Sequence, residues 1–549
     1  MHSQPDTPPV CAPCATMAGH PETRPARASG PSTAAPAPGW RDAVLLNGMA
    51  VFLFLWIAAR AAIQSITIDE ADTYLAYVAR PSPSHWEASA NNHVLNSLLM
   101  RLSTAVFGIS AFSARIPALL GAALYIGAAL VLARLIAADR TLRWFLLVAL
   151  TANPFVMDHL VAARGYSLAL AFLLLAIAAA ASYVWQRPDS AAHSLYRRCA
   201  VCSIACGLSF SANFSFAFAD AATLLLLSFW LAAQAGGSGY RKLAIQAKVL
   251  LASIVPGVLV ALFFTGSILL TWQRSALVWG ARSMKECLHS VTQATLFQPN
   301  PYLLNPLLLR ALVACQPFLF PALGFACAFR LVTLAAGARQ LRARRARFPL
   351  ALCGIGGGAA ILAMACHYLL FRTQHILLPF DRTAVFLAPL GALFAGALAA
   401  IPQESASGAL SRRLSRAALI VFGIYFLCCL RLTYFRTWDF DAGMKNAYAS
   451  LAFYSRNYGV TDVSANWRYV AALNFYRAAA PSPLAEIPGG PTTVGEYPPG
   501  KDAYVLYRPS DQGFIERRHL KVVYYDFETG VAVAVPPTLD TTSYHGYVH

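Results

Sequence analysis

Charged side chains are scarce in this sequence. They make up 12% of the 549 residues, while hydrophobic residues make up 57%, and an ordinary soluble domain carries about twice that charged fraction. The mean hydropathy is +0.51, and apolar runs of about 20 residues, the length that crosses the hydrocarbon core as a helix, recur along the chain. This composition excludes a soluble globular protein and predicts a mostly α-helical, polytopic membrane protein.

Acidic side chains are scarcer than basic ones. The chain has 25 Asp and Glu residues against 43 Lys and Arg residues, which gives a formal net charge of +18. In a soluble protein this excess would suggest a nucleic-acid partner. Here the arginines lie in short segments between apolar runs, where they determine membrane topology. We therefore predict membrane lipids, and no nucleic acid, among the partners.

Cysteine is absent from the chain after Tyr434, so a disulfide cannot stabilise that region. Most of the 12 cysteines lie inside apolar segments, where they behave as small hydrophobic residues. Cys11 and Cys14 form a C-x-x-C pair in a Pro- and Ala-rich tail. That tail lacks the strand and helix context of a redox motif, so neither a redox nor a metal role is predicted for the pair.

The composition divides the chain into three parts. Residues 1–39 are rich in Pro, Ala and Ser and are predicted to form a disordered cytoplasmic tail. Residues 40–435 carry the apolar segments and are predicted to form a transmembrane bundle of about 11 helices. Residues 436–549 mix helical and strand-like runs and are predicted to form a small extracytoplasmic α/β domain. Membrane-spanning segments are expected at 43–63, 114–137, 144–160, 164–185, 199–212, 214–234, 248–270, 307–335, 349–371, 380–401 and 417–434.

Basic residues occur in every second loop, and these loops should face the cytoplasm. The N-terminus is then cytoplasmic, while the carboxylate-bearing first loop (64–113) and the region after Tyr434 are external. We expect a multi-pass protein of the bacterial inner membrane with a periplasmic C-terminal domain. The loop residues are Arg134, Arg140, Arg143, Arg187, Arg197, Arg198, Arg241, Lys242, Lys248, Arg339, Arg342, Arg344, Arg345, Arg347, Arg412, Arg413 and Arg416.

The first loop contains a dense group of reactive side chains. Asp69 and Glu70 are adjacent and Asp72 follows, and helical spacing would place Asp69, Asp72 and Thr73 on one face. A carboxylate at this position could accept a proton from a hydroxyl group, as a general base does. The alternative is structural: Asp69 caps a helix, and Asp72 completes a capping box.

Later in the same loop, Asn92 and His93 precede Asn96 by about one helical turn. Together these side chains could hydrogen-bond a sugar or a phosphate. The alternative is that His93 is an interfacial or core residue of an amphipathic helix that begins near residue 88.

Two more polar segments should lie at the same membrane face. The first contains Asp158, Arg164 and Tyr166, and its alternative interpretations are an Asp158–Arg164 ion pair or a snorkelling arginine. The second contains Arg382, whose guanidinium fork suits phosphate oxygens. An arginine that only anchors a helix at the interface is the alternative there.

These elements, in this order, resemble the GT-C superfamily of membrane glycosyltransferases. The most similar branch contains the protein O-mannosyltransferases, the lipid A aminoarabinose transferase and the RgtA/B/C/D-like bacterial enzymes. The resemblance covers residues 43–400, although Val94 stands where proline is usual and Asp158 where glutamate is more frequent. The matching elements are Asp69-Glu70 within DEADTY, Asn92-His93, Arg115-Ile116-Pro117, Asn153-Pro154-Phe155 with Asp158, Ala163-Arg164-Gly165-Tyr166, and Arg382 before Ala388-Pro389-Leu390.

The resemblance implies transfer of a sugar from a polyprenyl-phosphate carrier to an acceptor outside the cytoplasm, which would be an envelope glycan, a lipid or a protein. Asp69 is then expected to be the base, with Glu70 or Asp158 orienting the acceptor. Arg164 and Arg382 would hold the lipid phosphate, and Asn92, His93 and Tyr166 would contact substrate. Some members bind a divalent metal, which the resemblance allows here; no cofactor is otherwise implied.

Two other functions fit the sequence. A transporter or flippase of lipid-linked sugars would place ionisable groups at the membrane midplane, where Asp220 is the clearest candidate. A catalytically inactive member could instead act as a membrane binding module. The gathering of charged groups at one membrane face favours the enzyme.

Overall fold

The computed structural model describes residues 40–80, 86, 89, 91–186, 192–234, 239–271, 279–337, 344–480, 482–490 and 495–539. The predicted tail at residues 1–39, with Cys11 and Cys14, lies outside the described residues, as do Arg187, Arg339 and Arg342 of the basic loops.

Long apolar helices and shorter polar ones alternate along the chain. The α-helices are α1 (Trp40–Ile63), α2 (Ile68–Thr73), α3 (Val94–Phe107), α4 (Ala111–Ile136), α5 (Arg140–Thr151), α6 (Pro154–Val161), α7 (Tyr166–Gln186), α8 (Ala192–Ala212), α9 (Ala217–Ala232), α10 (Gly239–Leu270), α11 (Met284–Thr295), α12 (Pro306–Ala336), α13 (Arg344–Gln374), α14 (Leu387–Ala400), α15 (Ala406–Cys428), α16 (Met444–Tyr458), α17 (Trp467–Ala479) and α18 (Arg508–Arg517).

The number of apolar helices confirms a multi-pass membrane protein but differs from the predicted number of spans. In the described part of the chain, eight helices are long and apolar enough to cross a membrane, and nine if α5 and α6 count as one bent span. The predicted segments 199–212 and 417–434 account for the difference. The first lies within α8, which has 21 residues, and the second overlaps the C-terminal part of α15, which has 23 residues. Arginine and serine side chains lower the mean hydropathy of both helices. Both helices still pack in the bundle, α8 between α7 and α10, and α15 against α5 and α12.

The bend between α5 and α6 is built from Asn153 and Pro154. The two helices meet at 56°. The Asn153 side chain caps α6 by accepting a hydrogen bond from the Phe155 backbone N–H at 3.0 Å, and Pro154 occupies the first turn, where its missing N–H leaves no bond unmade. The bend brings the polar end of α6 and the start of α7 next to the first loop.

The chain after α15 forms a four-stranded sheet with flanking helices. The strands are β1 (Val463–Ala465), β2 (Ala503–Tyr507), β3 (Lys521–Tyr525) and β4 (Val531–Val535). Their order is β1-β2-β4-β3; β1 and β2 are parallel and the other pairs antiparallel. All five residues of β4 are buried, since β4 is a central strand covered on both faces.

The short helix α2 packs into the same hydrophobic core as the sheet and its helices. Ile66 and Ala71 lie in one cluster of buried residues with Leu451, Phe475 and Val505. Backbone contacts reinforce this packing: the Tyr476 hydroxyl accepts from the Ile66 N–H at 2.9 Å. The C-terminal region therefore fixes the position of α2 at one end of the bundle, which we call the site end.

Candidate active site

A capping box begins α2, but its members are not the predicted ones. Thr67 is the N-cap: its hydroxyl accepts from the Glu70 N–H at 3.2 Å, and the Glu70 carboxylate accepts from the Thr67 N–H at 2.9 Å. The alternative in which Asp69 caps the helix and Asp72 completes the box is therefore wrong. Because Glu70 closes the box, the Asp69 side chain is free for other contacts.

Glu70 is fully buried and hydrogen-bonded on all sides. Its Oε1 accepts from Arg115 Nε and the Ala163 N–H, both at 2.8 Å, and its Oε2 also accepts from Arg115 Nη2 at 2.7 Å. Burial alone would raise the pKa of Glu70, but the Arg115 charge and these bonds outweigh it and hold the pKa below its ordinary value. Arg115 also donates to the carbonyls of Ala61, Gln64 and Ser65, so this pair joins the ends of α1, α2 and α4.

Asp69 has a different environment from its neighbour. Its Oδ2 accepts from Arg382 Nη1 at 2.5 Å and from Trp438 Nε1 at 2.9 Å, and its side chain retains 12% exposure. Burial raises the pKa of Asp69, whereas Arg164, Arg382 and the Trp438 bond lower it, and the lowering effects prevail. Asp69 is therefore an ionised carboxylate at the edge of solvent.

Two arginines distant in sequence meet at Asp69. Arg382 lies between the rings of Trp279 and Trp438, with its guanidinium carbon 5.9 and 5.6 Å from the ring centres. Arg164 is 1% exposed and donates to the Asp69 carbonyl at 3.1 Å and to the Thr73 hydroxyl at 2.6 Å. The fold thus places both predicted phosphate-binding arginines beside the predicted base.

Gly165 allows Arg164 and Tyr166 to diverge. Its φ is +74°, and a Cβ there would lie 2.1 Å from the Ala212 carbonyl oxygen and 3.0 Å from the His93 Cβ. Only glycine fits this turn without strain. Arg164 can therefore turn back to α2 while Tyr166 starts α7.

Asp72 is the exposed carboxylate of the group. Partial burial and the neighbouring Asp69 charge raise its pKa to about 6, while Arg164 acts in the opposite direction. Among the described residues no side chain donates a hydrogen bond to it. It is therefore a stronger base than an ordinary aspartate, and solvent can reach it.

Buried polar and aromatic side chains form a wall beside the two arginines. Tyr166 has its ring centre 5.4 Å from that of His93 and 4.8 Å from that of His159. Asn92 is fully buried, and its amide nitrogen has no hydrogen-bond partner in the described part of the chain. The predicted residues Asn92, His93 and Tyr166 therefore lie close together, with the unpredicted His159.

Asp158 contacts a different set of residues. Its Oδ1 accepts from Arg60 Nη2 at 2.5 Å, and its Oδ2 accepts from the Arg436 backbone N–H at 2.7 Å. The alternative of an Asp158–Arg164 ion pair is therefore wrong, since Arg60 is the partner. Asp158 anchors the segment that follows α15 rather than facing Asp69.

Sequence reasoning did not identify Trp438, Arg60 or Asp441 as parts of the site. Trp438 donates to Asp69, and Asp441 Oδ2 accepts from the Ile68 N–H at 2.7 Å. These contacts cross about 370 positions of the chain, so no local pattern announces them. Arg115 was recognised as a motif residue, but its partner could be identified only in three dimensions.

No metal-ligand cluster is found where the chain is described: three or more His, Cys, Asp or Glu side chains do not gather in a suitable arrangement.

Comparisons with known proteins find similar chains among solved structures. No protein-family model matches the sequence, and a comparison with curated proteins finds no match. Among solved structures, ArnT from Cupriavidus metallidurans bound to undecaprenyl phosphate is 14% identical, with 90% of this chain and 97% of that chain covered and a TM-score of 0.47. The archaeal oligosaccharyltransferase AglB from Archaeoglobus fulgidus, in complex with an inhibitory peptide and a dolichol-phosphate, is 13% identical over 82% of this chain and 65% of that chain, with a TM-score of 0.40.

Proposed function

We propose that this chain is an integral-membrane glycosyltransferase that moves a sugar from a polyprenyl-phosphate donor to a cell-envelope glycan, lipid or protein. The reaction takes place at the site end, which faces away from the cytoplasm. The observation that carries the proposal is the contact of Asp69 with Arg382 beside Arg164. It joins a proton acceptor to the cations that a departing phosphate needs.

The chemistry requires no general acid. The acceptor hydroxyl gives its proton to a carboxylate and its oxygen attacks the anomeric carbon, while the bond from that carbon to the phosphate oxygen breaks. The electron pair of that bond leaves with polyprenyl phosphate. Positive charge at the developing phosphate stabilises this step, and a positioned base contributes typically about 10²–10⁴-fold.

Arg382 links the two requirements. Its Nη1 is paired with Asp69 Oδ2. A donor phosphate competes for the same guanidinium group, because Arg binds phosphate and carboxylate through the same fork. When Arg382 turns to the phosphate, Asp69 loses a counter-charge and becomes a better base. Donor binding thereby prepares the carboxylate for the acceptor.

The remaining residues have supporting roles in this scheme. Glu70 has both oxygens occupied, so we assign it to holding α2 in place rather than to orienting the acceptor. Asn92, His93 and Tyr166 form the wall that contacts the sugar. Asp158 holds the segment that carries Trp438 and acts on the reaction only through it.

The test is a transfer assay with the purified full-length protein, a panel of polyprenyl-phosphate sugars and mass spectrometry of the acceptor. Asp69→Asn should reduce transfer by about 10²-fold or more and leave the thermal stability nearly unchanged. Asp72→Asn is the matched variant one turn away on α2, and it should retain most of the activity. Near-normal turnover of Asp69→Asn with loss in Asp72→Asn would move the base to Asp72. No transfer from any donor by the wild-type protein would refute the enzyme.

A further inference from the structure

A pocket rich in arginine adjoins the segment that carries Trp438. It is lined by Arg60 and Asp158 from the bundle and by Arg431 and Arg436 from the segment after α15, with Phe297 as a wall. Arg436 precedes Trp438 by two residues, so their Cα atoms lie within about 7 Å of each other. The pocket is therefore a neighbour of the Asp69 site but uses none of its arginines.

The charges in this pocket do not balance. Three arginines line it, and the one carboxylate-bearing residue in its lining, Asp158, is paired with Arg60 at 2.5 Å. In the described part of the chain the Arg436 side chain makes neither a hydrogen bond nor an ion pair. Its guanidinium carbon lies 5.7 Å from the centre of the Phe297 ring. Among the residues that line the pocket, no carboxylate is therefore left to pair with Arg431 or Arg436.

Hydrogen-bond donors in the pocket are also left without acceptors. Arg60 is 2% exposed and Arg431 is 9% exposed, and the Nε–H of each has no partner among the described residues. Leaving a buried donor unpaired is unfavourable, and more so for a charged group. An anion that accepts from these groups would remove that cost.

Aromatic rings hold two of the guanidinium groups in place. The Arg431 guanidinium carbon lies 5.0 Å from the Phe297 ring centre and 5.1 Å from that of Tyr434. Arg431 Nη2 also donates to the carbonyls of Gln298 and Pro299, at 2.8 and 2.9 Å. Phe297, Tyr434 and Arg436 are only partly buried, so the pocket opens to the surface while Arg60 forms its floor.

We propose that this pocket is a phosphate-binding site, separate from the Asp69 site. Two positive charges must be balanced in this pocket. A phosphate has more oxygens and more negative charge than a carboxylate, so it can accept hydrogen bonds from several guanidinium groups at once. The phosphate comes from an anionic lipid headgroup or from a soluble phosphate. Its binding stiffens the segment between Arg431 and Trp438 and so reaches Asp69.

The experiment uses the full-length protein in a neutral detergent, titrated with inorganic phosphate at constant ionic strength while the midpoint of thermal unfolding is recorded. A saturable rise in the midpoint is expected. Arg436→Gln should weaken the apparent affinity about tenfold or more, as loss of a charged hydrogen-bond partner does. Arg456→Gln is the matched control, because that side chain bonds a carbonyl of its own helix; it should bind phosphate like the wild type.

A second variant distinguishes this pocket from the Asp69 site. Arg382→Gln should retain the phosphate response, since Arg382 does not line the pocket. If Arg382→Gln loses the response and Arg436→Gln keeps it, the phosphate binds at Asp69 and the proposal is wrong; the absence of any saturable response refutes it as well. The midpoint of Arg436→Gln without phosphate should equal that of the wild type, since its backbone N–H still bonds Asp158.

The source of the phosphate is found by repeating the titration in nanodiscs. One set contains phosphatidylcholine alone, and the other contains equal parts of phosphatidylcholine and phosphatidylglycerol. Weaker apparent binding of inorganic phosphate in the second set supports the site with a lipid headgroup as its natural occupant. Equal binding in both sets supports the site with a soluble phosphate as its occupant.

Discussion

Loss of charge should have different effects at the two neighbouring carboxylates of α2. Glu70→Gln should lower the stability of the protein, whereas Asp69→Asn should lower its transfer activity, and Glu70→Gln is the sharper test. Four N–H donors converge on the Glu70 carboxylate, two from Arg115 and one each from Thr67 and Ala163. Glutamine has the same shape but offers one oxygen, which can accept from two of them. Its amide group would point its own donors at the other two.

The expected loss of stability follows from this geometry. Arg115 and Glu70 are both 0% exposed, and removing one charge of a buried ion pair costs about 3–5 kcal/mol. Arg115 keeps its three carbonyl acceptors, so the low end of that range is expected. Asp69→Asn, at a partly exposed carboxylate, should cost far less while it removes transfer activity.

The assay is thermal unfolding of the purified protein in detergent, monitored by size-exclusion chromatography and tryptophan fluorescence. Glu286→Gln is the control, because Glu286 also lies in the first turn of a helix and its Oε2 accepts from the Arg282 N–H in an exposed setting. It should change the midpoint little. An unfolding midpoint of Glu70→Gln equal to that of the control would refute the structural role of Glu70.

The pH dependence gives a second check on the same variant. The pKa of Glu70 is lower in the folded protein than its ordinary value of 4.5. The charge of Glu70 therefore stabilises the fold at pH values above 4.5, and this stabilisation is lost as the pH falls through the folded-state pKa. The difference in stability between wild type and Glu70→Gln should accordingly be full at neutral pH and shrink in acid. A difference that grows as the pH falls would contradict the assignment.

Two further predictions concern the donor and the topology. Arg382→Lys keeps the charge but loses the fork and its contacts with two tryptophan rings, so KM for the donor should rise about tenfold. Arg372→Lys, at an exposed helix end, is the control. An unchanged KM in Arg382→Lys would mean that Arg382 does not bind the phosphate. Reporter fusions at about residues 40 and 440 should report opposite sides of the membrane, as the positive-inside rule requires. Both fusions on one side would require a different number of crossings.

Much of the bundle could be predicted because membrane solubility is a local property of the chain. A run of apolar residues long enough to cross the bilayer must be helical wherever it occurs, since its backbone groups find no other partners in lipid. The expected spans accordingly coincide with described helices. Two of these helices, α8 and α15, are less apolar than the eight that pass a test of length and hydropathy, and their contacts with neighbouring helices place them in the bundle.

Within the site, the sequence by itself determined which residue types are available and where the local turns lie. Asn153-Pro154 and Gly165 act through their own backbone, so their effect can be read from the residues next to them. The adjacent Asp69 and Glu70 could not be told apart in this way. Both are carboxylates on one short helix, and capping rules assigned the cap to the wrong residue.

Only the tertiary structure decided that Glu70 is closed inside an ion pair and that Asp69 faces two arginines. Arg115, Arg164, Arg382 and Trp438 reach α2 from separate parts of the chain, and their contacts depend on how the helices pack. Electrostatic and hydrogen-bond energies depend on distance in space and on burial, and neither has a local signature in sequence. The roles of the two carboxylates are therefore set by the fold around them.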